Sequence, residues 1–215
     1  MKANLADLRK SYNKGSLDIN AVGDKPINLF EIWFKEAKQS DLIEEANAMI
    51  LSTLGERGFP KPRVVLLKGF SEEGFIFFTN YGSRKAREAF SANKAAFNLH
   101  WKTLRRQIRV RGYVEKENGL IADKYFSERQ FGSQTAAWAS KQSETLADRK
   151  ELIKRWSNYK IKFKENVLRP EFWGGIRIKP IQIEFWADGQ FRLHDRFVWE
   201  RKLGEKVWDV RRLYP

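Results

Sequence analysis

Two arginines and a histidine recur at every second position near the C-terminal end of the chain, as Arg192, His194 and Arg196. On a β-strand this spacing places all three side chains on one face of the sheet. Neighbouring cations repel one another, so such a face is stabilised either by solvent at a rim or by a bound anion. Spacing alone leaves both interpretations open.

The residue types around this run favour the anion site. Arginine offers a planar fork of donors that matches phosphate or carboxylate, and Trp186 offers a flat surface suited to an aromatic ligand. Histidine is rare in this chain, since His194 and His100 are the only two.

Asp188-Gly189 is a strong signal for a short turn, and alternating residues precede and follow it. We therefore expect a hairpin, for which two registers are open. A two-residue turn would pair Trp186 with Phe191. A loop longer by one residue would place Trp186 opposite Arg192 and Glu184 opposite the histidine. The second register is favoured because it joins an acid to a base.

The composition describes a basic globular chain without cysteine. Its 215 residues carry a formal net charge of +14, and 42% of them are hydrophobic, enough to bury a core. A field of this sign attracts phosphates of any kind, from RNA to a phosphorylated metabolite, and it also raises solubility. Without cysteine, thiol catalysis and disulfides are excluded, and with only two histidines we expect no metal site.

No segment indicates export or a membrane span. The first fifteen residues lack an apolar h-region, and no apolar run is long enough to cross a bilayer. We therefore expect a cytoplasmic protein. Residues 1–25 are charged and turn-rich and are interpreted as a mobile arm, and residues 26–215 as a single domain.

The hydrophobic pattern predicts four helices. Pro26 and Asn28 open the first, with Asn28 as N-cap and Glu31 three residues later, as in a capping box. The others are expected at residues 83–93, 117–130 and 146–163. The last carries an apolar stripe from Leu152 to Phe163 that is expected to face the core.

Short β-rich runs fill the remainder of the chain, and the first three are expected to form an antiparallel meander. In the run at 104–114, Gln107 and Arg109 alternate with Ile108 and Val110, which indicates one wet and one dry face. Because strands outnumber helices and most connections are short, we expect an antiparallel barrel with flanking helices. The runs are 49–54, 63–68, 75–79, 95–101, 104–114, 175–186, 191–201 and 206–213.

A second candidate anion site lies where a strand is followed by a helix, from Thr79 to Lys85. Ser83 is placed to cap that helix, whose free N–H groups would point at a ligand. Arg84 and Lys85 fall in the first turn, where the helix dipole disfavours cations. A bound phosphate would reverse this penalty, so a phosphate site is favoured over a solvated turn.

Two further sets of residues are ambiguous when each is taken by itself. Arg63 and Lys68 bracket an apolar run, but their odd separation places them on opposite faces of an ideal strand. Both can serve one ligand only through a bulge, or if one reaches round the strand end. Tyr125 and Arg129 share a helix face, with the hydroxyl of Ser133 beyond, either as a second phosphate clamp or as an ordinary surface pair.

Several familiar catalytic motifs are missing from the sequence. It contains no Gly-rich dinucleotide fingerprint after a strand, no P-loop and no G-x-S-x-G elbow. Phosphate donors and aromatics without an obvious nucleophile suit a cofactor that carries the reactivity itself.

The segment from Glu184 to Arg196, with Glu-Phe-Trp followed by Arg-Leu-His-Asp-Arg, resembles the C-terminal signature of the pyridoxine (pyridoxamine) 5'-phosphate oxidase family. The resemblance covers nearly the whole chain. It implies a mainly β, antiparallel FMN-binding split β-barrel with flanking helices, acting as a homodimer with FMN between subunits. Other similar blocks are residues 63–68, 82–85, 106–107, 138–143 and 172–175.

The resemblance also implies the site residues. FMN would be held by Arg63, Val64, Lys68, Phe78, Thr79, Arg84, Lys85, Gln107, Gln142, Ser143, Trp186 and Arg196, several of them from the partner subunit. The substrate phosphate would meet Lys68, Tyr125, Arg129 and Ser133. Arg192 and His194 would be the catalytic residues over the pyridine ring, and Arg9 and Tyr12 would belong to an arm that covers the substrate.

The implied reaction is FMN-dependent oxidation of pyridoxamine 5'-phosphate and pyridoxine 5'-phosphate to pyridoxal 5'-phosphate, with O2 as acceptor and H2O2 as product. We hypothesise that Arg192 holds the pyridine ring over the flavin while His194 orients the C4' substituent. A split-barrel flavin reductase would share the flavin contacts but would have no use for the phosphate clamp. A barrel that binds nucleic acid through basic strands and aromatics is a third interpretation, and it is not favoured.

Overall fold

The computed structural model describes residue 17 and residues 23–215, and these form two compact units. The terminal unit takes the described residues up to 49 together with residues 97–110 and 181–215, and the central unit takes residues 50–96 and 111–180. The predicted arm, with Arg9 and Tyr12, falls almost wholly outside the described residues. The single domain over residues 26–215 stays a prediction.

The described residues contain nine strands, and each register that can be read is antiparallel. The strands are β1 (Ala48–Leu54), β2 (Pro60–Leu66), β3 (Gly69–Ser71), β4 (Gly74–Asn80), β5 (Lys94–Trp101), β6 (Arg106–Glu117), β7 (Trp173–Ala187), β8 (Asp195–Glu200) and β9 (Asp209–Leu213). Their order in the sheet is β2-β1-β5-β6-β7-β4-β3, and β8 pairs with β7 and β9. A mainly antiparallel β fold is confirmed.

The predicted three-strand meander is only half present. β1 and β2 are neighbours, but β4 lies between the short strand β3 and β7. The sequence pattern missed β3 because the chain leaves β2 at Leu66 and resumes pairing only at Gly69, opposite Ile76.

Five α-helices flank the strands in the described part of the chain: α1 (Pro26–Gln39), α2 (Arg84–Ala92), α3 (Leu120–Ser127), α4 (Phe131–Ala139) and α5 (Arg149–Phe163). None of these helices is long and apolar enough to cross a membrane.

The first helix begins earlier than predicted, so Asn28 as its N-cap is wrong. Lys25 holds the N-cap position and makes no side-chain cap, and Pro26 is the first helical residue. Proline suits this position because its φ is already helical and its missing N–H needs no partner there. The N–H of Asn28 donates to the carbonyl of Lys25 at 3.1 Å, which places Asn28 inside the first turn.

A helix is confirmed within the range predicted at residues 117–130, but its bounds are wrong, because β6 runs on to Glu117 and two short helices follow. The second, α4, has a Gly- and Ser-containing first turn and no marked apolar stripe, so the sequence pattern did not reveal it. Tertiary contacts stabilise it instead. The side-chain amide of Gln134 donates to the carbonyl of Phe126 at 2.9 Å, and the hydroxyl of Thr135 accepts from the indole N–H of Trp156 at 3.0 Å.

Helix α5 is confirmed, but no residue of it is fully buried. Its predicted core stripe packs on α4 instead of entering the sheet. The indole N–H of Trp156 donates to the carbonyl of Gly132 at 3.1 Å, and the Trp138 ring lies 5.9 Å from Tyr159 and 5.1 Å from Phe163. The helix begins after Asp148, whose carboxylate accepts from the N–H of Lys150 at 3.0 Å, a side-chain N-cap.

Both predicted registers of the C-terminal hairpin are wrong. Strand β7 pairs with β8 so that Trp186 faces Arg196 and Glu184 faces Val198. The connection therefore spans residues 188–194. Asp188 is fully buried, with its N–H donating to the carbonyl of Arg105 at 3.2 Å, so it cannot occupy an exposed two-residue turn.

The alternating strand expected at residues 191–201 starts only at Asp195. Residues Gln190–Arg192 form a 3-10 turn in which Phe191 and Arg192 adopt φ values of 54° and 66°. Arg192, His194 and Arg196 therefore do not share a strand face, because this left-handed turn interrupts the alternation that the spacing predicted.

Alternation does hold in β6, where Ile108 and Val110 are buried while Arg109 and Arg111 are exposed. The predicted wet and dry faces of this strand are confirmed. Where a strand face is this consistently apolar, burial sets the register strongly.

Gly112 is a point where β6 comes very close to β7. A Cβ placed there would lie 2.0 Å from the carbonyl oxygen of Lys179, an atom of the backbone. We expect Gly112→Ala to lower the free energy of unfolding by about 3 kcal/mol, because backbone must move to relieve the clash. Denaturant unfolding followed by fluorescence would measure the loss. In the matched variant Gly132→Ala the new Cβ meets only Trp156 at 3.7 Å, and no loss is expected. Equal stability of the two variants would contradict the prediction.

Candidate functional site

A cavity of about 480 Å³ lies within the central unit. This volume falls in the range of small-molecule and cofactor sites. Its walls come from β2, β4, α2, α4 and the first residue of β7, together with side chains near the end of α3. Of the predicted site residues, those that line it are Arg63, Val64, Lys68, Phe78, Thr79, Lys85, Tyr125, Arg129, Ser133 and Gln142.

The end of strand β2 resolves the difficulty with Arg63 and Lys68. The strand stops at Leu66, and the backbone N–H of Lys68 donates to the carbonyl of Ile76 at 2.8 Å. Lys68 is therefore beyond the strand, where strict alternation no longer applies, and both side chains line the same cavity. This is the second of the two routes that the sequence left open.

One group of cations gathers beside the start of α2. The ammonium of Lys85 donates to Gln142 Oε1 at 3.2 Å and to Ser83 Oγ at 3.4 Å, and Thr79 Oγ1 donates to the same Gln142 oxygen at 3.1 Å. Burial, and next to it the charge of Arg63, lower the pKa of Lys85. The crowding of two cations here is the electrostatic signature of a site that gains from a bound anion.

The start of α2 is capped in a way that the sequence did not predict. Ser83 holds the N-cap position, but its side chain makes no capping hydrogen bond. Instead the N–H of Arg84 donates to the hydroxyl of Ser143 at 3.1 Å. Ser143 itself adopts a left-handed φ of 74°. The predicted cap by Ser83 is therefore wrong, because a distant hydroxyl supplies the acceptor.

A second group of cations lies near α3 and α4. The ammonium of Lys68 lies 5.9 Å from the centre of the Tyr125 ring, and the guanidinium of Arg129 lies 4.8 Å from that of Trp173. The Tyr125 ring stacks on Phe78 at 4.0 Å, with the two planes 12° apart. The cavity therefore combines flat aromatic walls with cations that lie over the rings of those walls.

Arg129 carries a charge that the described part of the protein does not neutralise. Its Nη1 is buried and has no hydrogen-bond partner, and burial lowers the pKa of its guanidinium. Among the described residues, no aspartate or glutamate lines the cavity. A buried, unpartnered donor on a cation is costly, and a phosphate oxygen would satisfy it.

Trp186 and Arg196, two further predicted residues, lie in the terminal unit and face each other across β7 and β8. Arg196 is held by Glu184, which accepts from its Nε at 3.0 Å and its Nη2 at 2.9 Å, and Arg196 Nη1 donates to the carbonyl of Tyr214 at 3.0 Å. Glu184 is buried and was not predicted as a site residue. Gln107 is at the start of β6, half-buried.

His194 and Arg192 lie in the loop between β7 and β8. The N–H of Gly189 donates to Nδ1 of His194 at 3.1 Å, and the imidazole lies 4.6 Å from the Trp186 ring, tilted by 45°. With Nδ1 accepting, the neutral imidazole carries its proton on Nε2. Arg192 is exposed and makes no hydrogen bond or ion pair within the described part of the chain.

Sequence reasoning missed several members of the cavity wall. Trp173 stacks 5.5 Å from Phe78 and 6.1 Å from Tyr125, with planes within 7° of each, and so completes an aromatic wall. In the sequence it belongs to a Phe-Trp-Gly-Gly block that enters only through the family resemblance. Nothing in the local pattern indicates that it faces a cavity.

Two family models match the chain. The one described as pyridoxamine 5'-phosphate oxidase matches residues 36–159, and the one described as the pyridoxine 5'-phosphate oxidase C-terminal dimerisation region matches residues 173–215. The pyridoxine/pyridoxamine 5'-phosphate oxidase of Roseobacter denitrificans is 51% identical over 194 residues, covering 90% of this chain and 96% of that protein. The protein of the same name from Brucella anthropi is 48% identical over 192 residues, covering 89% and 94%.

Solved structures agree in fold. PhzG from Burkholderia lata 383, in complex with tetrahydrophenazine-1-carboxylic acid, is 28% identical with a TM-score of 0.86, covering 96% of this chain and 100% of its own. An FMN-binding protein of Nostoc punctiforme, related to pyridoxamine 5'-phosphate oxidase, has a TM-score of 0.68 at 14% identity, covering 87% and 96%. The second supports the fold alone. The fold is that of the antiparallel split β-barrels, as the resemblance implied.

Proposed function

The chain belongs to the pyridoxamine 5'-phosphate oxidase family, and from that premise we propose that it oxidises pyridoxamine 5'-phosphate and pyridoxine 5'-phosphate to pyridoxal 5'-phosphate with FMN as cofactor. The observation that carries the proposal is the presence of two groups of cations in one cavity, the second of them lying against an aromatic wall. A single phosphorylated ligand would need one such group. FMN together with a phosphorylated pyridine needs two.

The cavity suits FMN at the end next to α2. Hydrogen-bond donors are offered there by Arg63, Thr79 and Lys85. Because Lys85 is partly buried beside the charge of Arg63, the binding of a dianion such as a phosphate is favoured. Arg84 and Ser143 extend this end, since the N–H of Arg84 already donates to the Ser143 hydroxyl. The other residues proposed to hold FMN are Val64, Lys68, Phe78, Gln107, Gln142, Trp186 and Arg196.

FMN, when bound, would supply a two-electron acceptor for the oxidation at C4' of the substrate, with O2 as the final acceptor and H2O2 as product. The amine substrate also consumes one water and releases ammonia, so that pyridoxal 5'-phosphate is the product of both substrates. The work of the protein is to bind and orient the two partners.

The substrate phosphate is proposed to bind between Lys68, Arg129 and Ser133. The unpartnered Nη1 of Arg129 supports this assignment, since a phosphate oxygen would complete its hydrogen bonding. Tyr125, stacked on Phe78, would bound the same pocket with its flat face. Arg9 and Tyr12, which lie outside the described residues, are proposed to cover the bound substrate.

Arg192 and His194 are proposed to act on the pyridine ring. Arg192 would hold the ring against the flavin, and its exposure in the single chain suits a residue used by the partner subunit. His194 would donate from Nε2 to the C4' substituent, because Gly189 occupies its Nδ1. In this role the imidazole orients the reacting carbon and does not remove a proton from it.

The match to a dimerisation region over residues 173–215 supports a homodimer. We propose that FMN binds between the two subunits, each of which contributes Trp186, Arg192, His194 and Arg196 to a cavity of the other. A site built from two chains makes catalysis depend on assembly.

The absorption spectrum of the purified protein, followed by peroxide release, tests the function. We expect a yellow protein that releases FMN on denaturation and forms peroxide on addition of pyridoxamine 5'-phosphate. Pyridoxamine without its phosphate should react far more slowly, which separates this activity from that of a flavin reductase. Bound FMN without peroxide release would reject the proposed reaction, and a protein without affinity for FMN would reject the cofactor as well.

The pH dependence of FMN binding provides a test of the α2 end of the cavity. The lowered pKa of Lys85 means that its ammonium loses its proton at a lower pH than an ordinary lysine. The protonated form binds phosphate, so the affinity for FMN should fall as the pH rises through that pKa. Titrations from about pH 7 to about pH 10 would measure the fall. Lys85→Arg, which stays charged, should abolish it, and an unchanged fall in that variant would contradict the prediction.

A further inference from the structure

A carboxylate that is only slightly exposed, outside the cavity wall, is bonded to one of the cavity arginines. Glu88 lies on α2 with its side chain 10% exposed, and its Oε2 accepts from the hydroxyl of Thr53 at 2.6 Å and from Arg63 Nη2 at 3.2 Å. Its other oxygen accepts from the ammonium of Lys61 at 3.1 Å. None of the motifs singled out in the sequence includes Glu88 or Thr53.

This network fixes two sides of the Arg63 guanidinium. Nη1 donates to the hydroxyl of Thr53 at 2.5 Å while Nη2 donates to Glu88, so both outer nitrogens are engaged by a triangle of hydrogen bonds. Each outer nitrogen keeps a second N–H, and Arg63 lines the cavity. A long side chain that is held in this way loses less conformational freedom when it binds a ligand.

The charge of Glu88 also permits the cations to lie together. Burial by itself would raise the pKa of Glu88, but the hydrogen bonds from Thr53 and Lys61 and the charges of Lys61 and Arg63 outweigh it and lower the pKa. Glu88 therefore stays ionised at neutral pH and offsets the repulsion between Arg63 and Lys85. Glu88 does so without lining the cavity. The remaining N–H groups of Arg63, which does line the cavity, can therefore bind an anion.

We propose that Glu88 and Thr53 are positioning residues that hold the Arg63 guanidinium ready for the phosphate of FMN. The inference rests on the proposed function, since it takes FMN as the ligand of this cavity. Neither residue lines the cavity. Both act through Arg63, in the way that residues behind a binding group commonly fix its orientation.

A merely structural role would look different. The same contacts tie α2 to β1 and β2, so losing them lowers stability whether or not Arg63 binds phosphate. Two readouts separate the roles. The first compares FMN with riboflavin, which lacks the phosphate, and the second asks whether the effect needs Arg63.

The experiment is a binding titration of apoprotein followed by quenching of flavin fluorescence. Glu88→Gln keeps the size of the side chain and removes its charge. We expect it to weaken FMN binding about tenfold while changing riboflavin binding less than about twofold. In an Arg63→Lys background, Glu88→Gln should change FMN affinity less than about twofold, because the group that it positions is gone. Glu73→Gln, which alters an exposed carboxylate that pairs with Arg177 at 3.3 Å, is the matched control and should bind FMN normally.

The outcomes are distinct. Equal weakening of FMN and riboflavin, or the same loss in the Arg63→Lys background, would show that Glu88 acts through the fold and would overturn the inference. Unchanged FMN affinity in a folded Glu88→Gln protein would overturn it as well. Wild-type protein that fails to bind FMN would instead overturn the proposed function.

Thr53 keeps the inference testable if Glu88→Gln does not fold. Thr53→Val removes the hydroxyl that joins Glu88 to Arg63 with little change in volume, and Thr53→Ser retains it. We expect Thr53→Val to weaken FMN binding about fivefold and Thr53→Ser to bind nearly as the wild type does. Equal affinities for FMN in the two variants would contradict the proposal.

Discussion

Replacing Arg129 with methionine is expected to raise the KM for pyridoxamine 5'-phosphate about a hundredfold and to change kcat less than about threefold. The reason is the buried Nη1 of Arg129, which has no partner in the described protein and which a phosphate oxygen would satisfy. The phosphate is remote from the reacting carbon and does not change during the reaction. Losing the contact between Arg129 and the phosphate should therefore weaken the binding of the substrate and of the transition state equally.

Stability separates this effect from damage to the fold. Arg129 is a half-buried charge whose pKa burial lowers, so Arg129→Met should leave the free energy of unfolding unchanged or slightly raised. Steady-state kinetics with both pyridoxamine 5'-phosphate and pyridoxamine would show the preference for the phosphorylated substrate collapse. Arg87→Met removes an exposed arginine of the same unit that does not line the cavity, and its KM should stay near the wild-type value. An unchanged KM in Arg129→Met would refute the assignment of the substrate phosphate.

Replacing Arg192 with leucine is expected to lower kcat about a hundredfold without loss of bound FMN. The proposed function of its planar guanidinium is to hold the pyridine ring at contact distance from the flavin. Small errors in that placement reduce the rate steeply. Because Arg192 is exposed and unpaired within the described part of the chain, its replacement should not affect the fold.

A matched control exists for the unusual backbone at this position. Arg57 is also exposed, also lies in a 3-10 turn, and has a φ of 62° against 66° for Arg192. Arg57→Leu therefore tests the same change in the same conformation away from the proposed site, and its kcat should be unaffected. Arg192→Lys, which keeps the charge but not the planar fork, should recover only part of the rate. Turnover of Arg192→Leu equal to that of the wild type would refute the role.

Two carboxylates with little exposure share a function that the local sequence did not suggest. Glu184 holds both nitrogens of one edge of Arg196, and Glu88 holds Arg63 together with Thr53. In each case an acid pairs with an arginine that we propose to contact FMN. Such pairs lower the cost of keeping cations close together before an anion arrives, and they set the direction in which the free donors point.

The sequence by itself determined the β-rich class, the family and the alternation of β6, because these depend on residue types and local periods. Ile108 and Val110 are buried for the reason that their spacing predicts. The cationic blocks were also visible, since Lys68 and Lys85 stand next to a strand end and a helix start, where anion sites form.

Only the tertiary structure decided the loop at 188–194, helix α4 and the network behind Arg63. Asp188 looked like a turn residue, but a hydrogen bond to Arg105, more than eighty residues earlier in the chain, buries it and lengthens the connection. Glu88 meets Thr53 and Arg63 across 35 and 25 residues. Local spacing specifies which side chains can share a face, whereas pairing between distant segments depends on burial and hydrogen bonds that exist only once the chain has folded.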